Sequence, residues 1–232
     1  MQIVPVIDLL DGQVVRAIRG DRASYRPVVS QLCRSSAPLD VARALLAHCA
    51  SRTLYIADLN ALTGKGPQCA LLAALTEALP DVEIWLDGGF ATPDAAALAL
   101  HAAGPNAHPV IASESLPDAG AIAGFTARWP EALLSLDRRH GQALGAGDCW
   151  TDTRHWPARL IVMTLDRVGS FDGPELDTLA DVRARAAGRQ LIGAGGIRHA
   201  TDLDAARTAG AQAWLVASAL HDGKLSAQPG SS

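Results

Sequence analysis

The sequence predicts a (β/α)8 barrel built from two half-barrel repeats, and three observations carry that reading. Eight short apolar runs are spread along the 232 residues, alanine- and leucine-rich segments of helical period stand between most of them, and the second half echoes motifs of the first in the same order. Runs that are apolar at nearly every position suit strands buried on both faces of a parallel sheet. Eight such strands alternating with helices favour the closed barrel, with a doubly wound open sheet as the alternative. The length agrees, since α/β barrels commonly run to about 200–250 residues as one unit.

In chain order the strands are read at QIVPVI, TLYIA, VEIWL, HPVIA, ALLSL, RLIVMT, QLIGA and AWLVA. The first continues to Asp8 before an Asp-Gly turn at Asp11 and Gly12 and a basic stretch. A carboxylate in a buried strand is costly unless it is paired or used, so Asp8 calls for a partner. Helical spacing marks PLDVARALLAHCA, QCALLAALTEAL, TPDAAALALHAAG and TDLDAARTAG. After Asp137 the stretch DRRHGQALGAGDCWTDTRHWP leaves little room for a full helix. Its glycines predict an extended loop or hairpin over the mouth of the barrel, where Trp150 would offer a flat apolar face to a ligand. Residues 1–225 are read as one domain and the tail SAQPGSS, 226–232, as disordered.

The repeat is specific in its order. IWLDGGFATPDAAALALHAAG is echoed by LIGAGGIRHATDLDAARTAG, with Gly88 and Gly89 matching Gly195 and Gly196 107 positions on. VIAS, ending at Ser113, matches LVAS, which carries Ala217 and Ser218; ADLNALTGKGP resembles TLDRVGSFDGP, and IDLLDG at Asp8 matches LDRRHG at Asp137. Four echoes in one order imply two halves of four strands, which set Asp8 opposite Asp137.

Totals exclude some classes of function. A formal net charge of −4 gives no electrostatic footprint for nucleic acid, and no run of about 18 apolar residues is present. The four cysteines, 33, 49, 69 and 149, have no metal or redox spacing and read as reduced thiols. His140, His199 and His221 are scattered and read as loop histidines. No charged leader opens the chain; a cytoplasmic protein without metal or cofactor, and without nucleic-acid or membrane partners, is the expectation.

Active sites of these barrels form at the C-terminal ends of the strands. There Asp8 and Asp137 can divide the labour of general acid and general base if their surroundings push their pKa values apart; the bland alternative is that each caps a turn or pairs with an arginine. Gly195, Gly196, Ala217 and Ser218 occupy the loops after strands seven and eight, the usual place for a phosphate. The matching first-half set, Gly88, Gly89 and Ser113, is a weaker anion site, because Asp87 precedes the glycines and Ala91 stands where the second copy has Arg198. In the loop after strand six, Thr164, Asp166 and Ser170 are candidate substrate contacts, with an ordinary loop and an internal Asp166–Arg167 pair as the alternative.

PVIDLLDGQVVRAIRGD, the strand-five aspartate, the doubled Gly-Gly-Phe and Gly-Gly-Ile turns and the terminal VASALHDGKL together resemble the histidine-biosynthesis barrel family (HisA/HisF), over nearly the whole chain. The resemblance implies a (β/α)8 barrel with catalytic Asp8 and Asp137. For the isomerase branch it implies an Amadori rearrangement, in which an aldose amine becomes a ketose amine without metal or redox cofactor. Three departures stand out. RVGS puts Val168 where that family carries an acid and Ser170 where it carries a threonine, DGGFA replaces a triple glycine with arginine, and the helix after strand five is nearly absent. They point to a HisA/HisF-related paralogue; such paralogues occur in methanogens and methylotrophs, and the resemblance implies for them a role in one-carbon carrier cofactor metabolism.

Three functions fit this sequence. One is an isomerase acting on a phosphorylated small molecule, in the histidine pathway or as a paralogue with another substrate. The second is a cyclase or lyase that works with a glutaminase-type partner, and the third is a non-catalytic phosphate-binding barrel; a homo-oligomer is compatible with each.

Overall fold

A computed structural model describes residues 1–16 and 25–227. Its eight parallel strands are β1 (Gln2–Leu10), β2 (Thr53–Asp58), β3 (Glu83–Asp87), β4 (Ala107–Ala112), β5 (Leu133–Arg139), β6 (Arg159–Thr164), β7 (Gln190–Ala194) and β8 (Ala213–Val216). Each pairs with its neighbour in chain order, and β8 closes on β1 through Gln2↔Ala213 to Pro5↔Val216. The closed barrel is thus the fold, and the open sheet is excluded. All eight apolar runs became strands because each is sandwiched between two hydrophobic layers. Val4, Tyr55, Trp85, Val110, Leu133 and Ile161 point into the barrel. The alternate residues, among them Ile7, Ile56, Leu86 and Leu136, pack outward against the helices.

The helices are α1 (Pro38–Cys49), α2 (Cys69–Ala78), α3 (Pro93–Ala103), α4 (Ala121–Arg128), α5 (Leu176–Arg185) and α6 (Ala200–Thr208). The sequence pattern marks α1, α2, α3 and α6. It passes over α4, which buries Ile122 and Phe125, and α5, which buries Thr178, Leu179 and Val182. Among the described residues no helix is long and apolar enough to cross a membrane.

Between β5 and β6 the chain forms a small hairpin, Gln142–Ala143 against Arg138 and Arg139, and then two single turns of 3-10 helix, as the glycines predict. At the other end of the sequence, β1 runs through Asp8 into a tight turn with Asp11 and Gly12 at positive φ, and returns as Gln13–Arg16. The four cysteines are free thiols, Cys49 and Cys149 buried. His221 corrects the loop reading. It is 4% exposed in the short helix Ser218–His221, its Nδ1 lies 3.0 Å from Ser30 Oγ, and burial pushes its pKa down to about 4. Residues 228–232, most of the tail expected to be disordered, lie outside the described residues.

The two ends of the chain are tied by Arg16, which donates to both carboxylate oxygens of Asp222 at 2.7 and 2.6 Å. The pair is about a quarter exposed, so Arg16→Ala is expected to cost about 1 kcal/mol. Its hydrogen bond with Arg16 holds the Asp222 carboxyl below the ordinary range. The contribution is therefore full above the unfolded carboxyl pKa of about 4 and is lost as pH falls through the lower folded value. Urea melts of wild type and Arg16→Ala should differ at pH 7 and converge in acid; equal stability at both pH values would show the tie to be inert.

Candidate active site at the barrel mouth

The strand alternation that fills the barrel also decides what reaches its open end. Inward positions recur every second residue, so Asp8 follows Val6, Asp87 follows Trp85, and Asp137 and Arg139 follow Ser135 on one face of β5. Of these, Val6, Asp8, Asp87 and Arg139 line a cavity of about 600 Å3 at the C-terminal ends of the strands, with Tyr55, Val168 and Ser218 also in its wall, and Asp137 lies behind that wall. A cavity of this size accommodates a small phosphorylated metabolite.

Asp8 lines the cavity, and its carboxyl makes no hydrogen bond to a described residue. Burial, and secondarily the charge of Asp87, push it up to about 7. Asp137 lies on β5, four strands away around the closed barrel and so opposite, but one layer lower, 4% exposed beneath Arg139. Ser135 Oγ donates to its Oδ1 at 2.6 Å and Ser113 Oγ to its Oδ2 at 3.4 Å, while its own N–H donates to Ser113 Oγ at 3.0 Å. Burial pushes Asp137 up to about 8, against the opposing pull of the Ser135 hydroxyl. Tyr55 joins the carboxyls. Its hydroxyl donates to Asp87 Oδ2 at 2.8 Å, and its ionisation is pushed well up by burial and then by the charges of Asp87, Asp137 and Asp8.

The second-half loops meet the cavity as the sequence predicts. Gly195, Gly196, Ala217 and Ser218 are all in its wall. The glycine pair also shapes its surroundings. Gly196 sits at φ +82, its N–H donates to Arg167 O at 2.9 Å, and a Cβ there would run into the backbone of Gly173. It therefore seats the loop after β6, and the donors left for an anion are the N–H groups of Ile197, Ser218 and Ala219, which bond no described residue. Arg198 turns away onto Asp202, with Nε and Nη2 at 3.0 and 2.9 Å from its oxygens. Arg139 and Arg167 supply cationic side chains to the cavity instead.

The first half differs. Gly88 and Gly89 are outside the cavity wall, the Gly89 N–H donates to Asp87 Oδ1 at 3.0 Å, and Ser113 is wholly buried against Asp137 and Leu144 O. The loop after β6 also needs correction. Met163 points inward, so Thr164 points outward, and with Asp166 it lines a separate shallow cavity beside Arg138 and Thr178. Asp166 accepts from the N–H of His140 at 2.5 Å, holding the β5 hairpin rather than facing the mouth. Ser170 is spent on its own turn, donating to Arg167 O and accepting from the Asp172 N–H. Trp150 is buried in the outer hydrophobic layer, because the 3-10 turn that carries it folds down between barrel and helices; it offers no face to the mouth. Sequence reading missed Tyr55 and Arg139, although counting twos back from Ala57 and on from Asp137 points to both.

A sequence model described as "Histidine biosynthesis protein" matches residues 2–226. An uncharacterized protein of Methanocaldococcus jannaschii is 28% identical over 230 residues, spanning 97% of this chain and 95% of its own. The 1-(5-phosphoribosyl)-5-((5-phosphoribosylamino)methylideneamino)imidazole-4-carboxamide isomerase of Thermomicrobium roseum is 29% identical over 248 residues, 97% of this chain and 94% of its own. Phosphoribosyl isomerase A of Mycobacteroides abscessus is 30% identical over 243 residues, covering 96% and 94%.

Proposed function

The chain belongs to the histidine biosynthesis protein family, and from that premise we propose that it is an aldose–ketose isomerase acting on a phosphorylated amino sugar of the phosphoribosyl-amine type. The observation that carries the reading is the pair of inward carboxyls on opposite strands, both raised into the range where one can be charged while the other holds its proton. Relatives named as phosphoribosyl isomerases support the class of reaction.

Asp137, with the higher pKa, is the general acid: its proton goes to the ring oxygen of the sugar, the C1–O bond breaks, and the nitrogen lone pair forms the C1=N iminium. Asp8 as carboxylate takes the proton from C2, and the electron pair moves through C1 to quench the iminium as an enolamine. Proton return to C1 and loss of the proton from the C2 hydroxyl leave the ketose amine, with no net gain or loss of electrons. The N–H groups of Ile197, Ser218 and Ala219, with Arg167, bind the phosphate that fixes the sugar between the two carboxyls.

This division requires Asp8 ionised and Asp137 protonated. Activity should rise with pH through about 7, fall through about 8, and peak between them. A kcat/KM profile for turnover of the relatives' phosphoribosyl imidazole-carboxamide substrate checks it, together with complementation of a histidine auxotroph. A profile flat from pH 6 to 9 would remove the acid–base pair. Failure to complement, with well-expressed protein, favours the second reading, a paralogue with another phosphorylated substrate. Val168 and Asp87 in the cavity wall support that reading, because they change the surface that would meet the substrate away from its phosphate.

A further inference from the structure

The two halves of this barrel carry the same pair of loops, a Gly-Gly turn followed by a strand ending in Ala-Ser, yet only one pair is open. We infer that the mouth takes a substrate with a single phosphate-type end, seated at Ile197, Ser218 and Ala219, and that Asp87 and the loop after β5 have closed the matching first-half site from within. The inference rests on the proposed phosphate end and sets what lies at the other end.

Three observations close the first half. Asp87 places Oδ1 on the Gly89 N–H at 3.0 Å and takes the Tyr55 hydroxyl on Oδ2 at 2.8 Å, so a carboxylate sits at this turn where the matching Gly196 N–H meets only the neutral Arg167 carbonyl. Ser113, the counterpart of Ser218, has its hydroxyl committed to Asp137 and to Leu144 O at 3.2 Å and is 0% exposed. Gly145 then packs against the Ser113 carbonyl so closely that a Cβ would not fit, which lays the β5 loop over the place where the second half is open. In the second half, by contrast, the equivalent serine and both glycines of the turn line the cavity.

The wall is accordingly divided. Toward β1 to β4 it presents the acceptors Asp8, Asp87 and Glu114 among its residues, and toward β5 to β8 it presents Arg139, Arg167 and the backbone donors. A phosphate fits the second side. The first side fits hydroxyl or amine groups that donate to carboxylates, and a second phosphate there would meet like charge.

Crystals soaked in inorganic phosphate, and calorimetry with ribose 5-phosphate and ribulose 1,5-bisphosphate, test this. One phosphate at Ile197, Ser218 and Ala219 is expected, with the bisphosphate binding no tighter than the monophosphate. Asp87→Gly frees the Gly89 N–H and removes the charge, and should shift the preference toward the bisphosphate over the monophosphate about tenfold. Phosphates at both turns of the wild type, or a bisphosphate preference that Asp87→Gly leaves unchanged, would overturn the single-phosphate inference but keep the proposed anchor. No phosphate at the second-half turn would overturn the anchor itself.

Discussion

Asp137→Asn is expected to lower kcat by about a thousandfold or more and, above pH 8, to make the protein more stable. Both follow from one fact, that burial pushes this carboxyl up to about 8. The folded chain holds the proton more tightly than the unfolded chain, whose carboxyl titrates near 4. The stabilising effect of that proton is full below about pH 4 and is lost progressively as pH rises through the folded value near 8, where a bare charge must be buried. Asparagine keeps an oxygen for the Ser135 hydroxyl and never ionises. At pH 9 the variant should gain on the order of 1–3 kcal/mol over wild type, and near pH 4 the difference should vanish. Turnover is lost because an amide has no proton to give to the ring oxygen. Denaturant melts at pH 4 and 9 beside steady-state kinetics check the pair of effects. A variant that keeps a tenth of the activity, or is less stable than wild type at both pH values, would remove Asp137 from the role of buried acid.

Most of the barrel was legible because its strands are buried on both faces and so leave unbroken apolar runs. The helices were legible by different signals: α1 buries six residues, and its pattern shows in PLDVARALLAHC; α2 is an alanine- and leucine-rich run; and α6 echoes α3 through the repeat. In α5, LDTLADVRAR, charged residues interrupt the apolar positions and no quoted echo in the other half picks it out. Asp8 and Asp137 could be found because the internal repeat sets them opposite each other. Strand alternation places Asp87 inward as well, but its engagement of Gly89 and Tyr55 depends on side-chain packing across strands β2 and β3, which no spacing encodes.

The misplaced residues share a cause. Position near a strand end predicts Thr164 and Asp166 at the mouth, but a strand end offers two faces, and Met163 takes the inner one. Ser113 was read by analogy with Ser218, and the loop after β5, where the repeat breaks, is the part that changes its surroundings. Trp150 belongs to the same segment: its indole fills the layer a helix would otherwise fill, so the missing helix and the buried tryptophan are two sides of one packing solution.

That segment also controls Asp137 from a distance, and Gly145→Ala is expected to show it. Gly145 sits at φ +81, and a Cβ would overlap the Ser113 carbonyl and lie 3.0 Å from Glu114 Cα, both backbone atoms that cannot swing aside. Backbone strain and the clash together should cost about 3–5 kcal/mol, enough to lift the loop away from β4. Leu144 then moves with it, and Leu144 is what links the loop to the acid: its carbonyl accepts from Ser113 Oγ at 3.2 Å and its N–H donates to Asp137 O at 2.8 Å. Water reaching Asp137 would relieve the burial that raises it, so the alkaline limb of the rate profile should move to lower pH while the acid limb set by Asp8 stays. Gly147→Ala is the matched control, since a Cβ there meets nothing within 4 Å and the backbone is ordinary; its stability and profile should match wild type. If Gly145→Ala lowers the melting temperature but leaves the alkaline limb in place, the loop is a structural cover only, and the proton on Asp137 is held by the barrel alone.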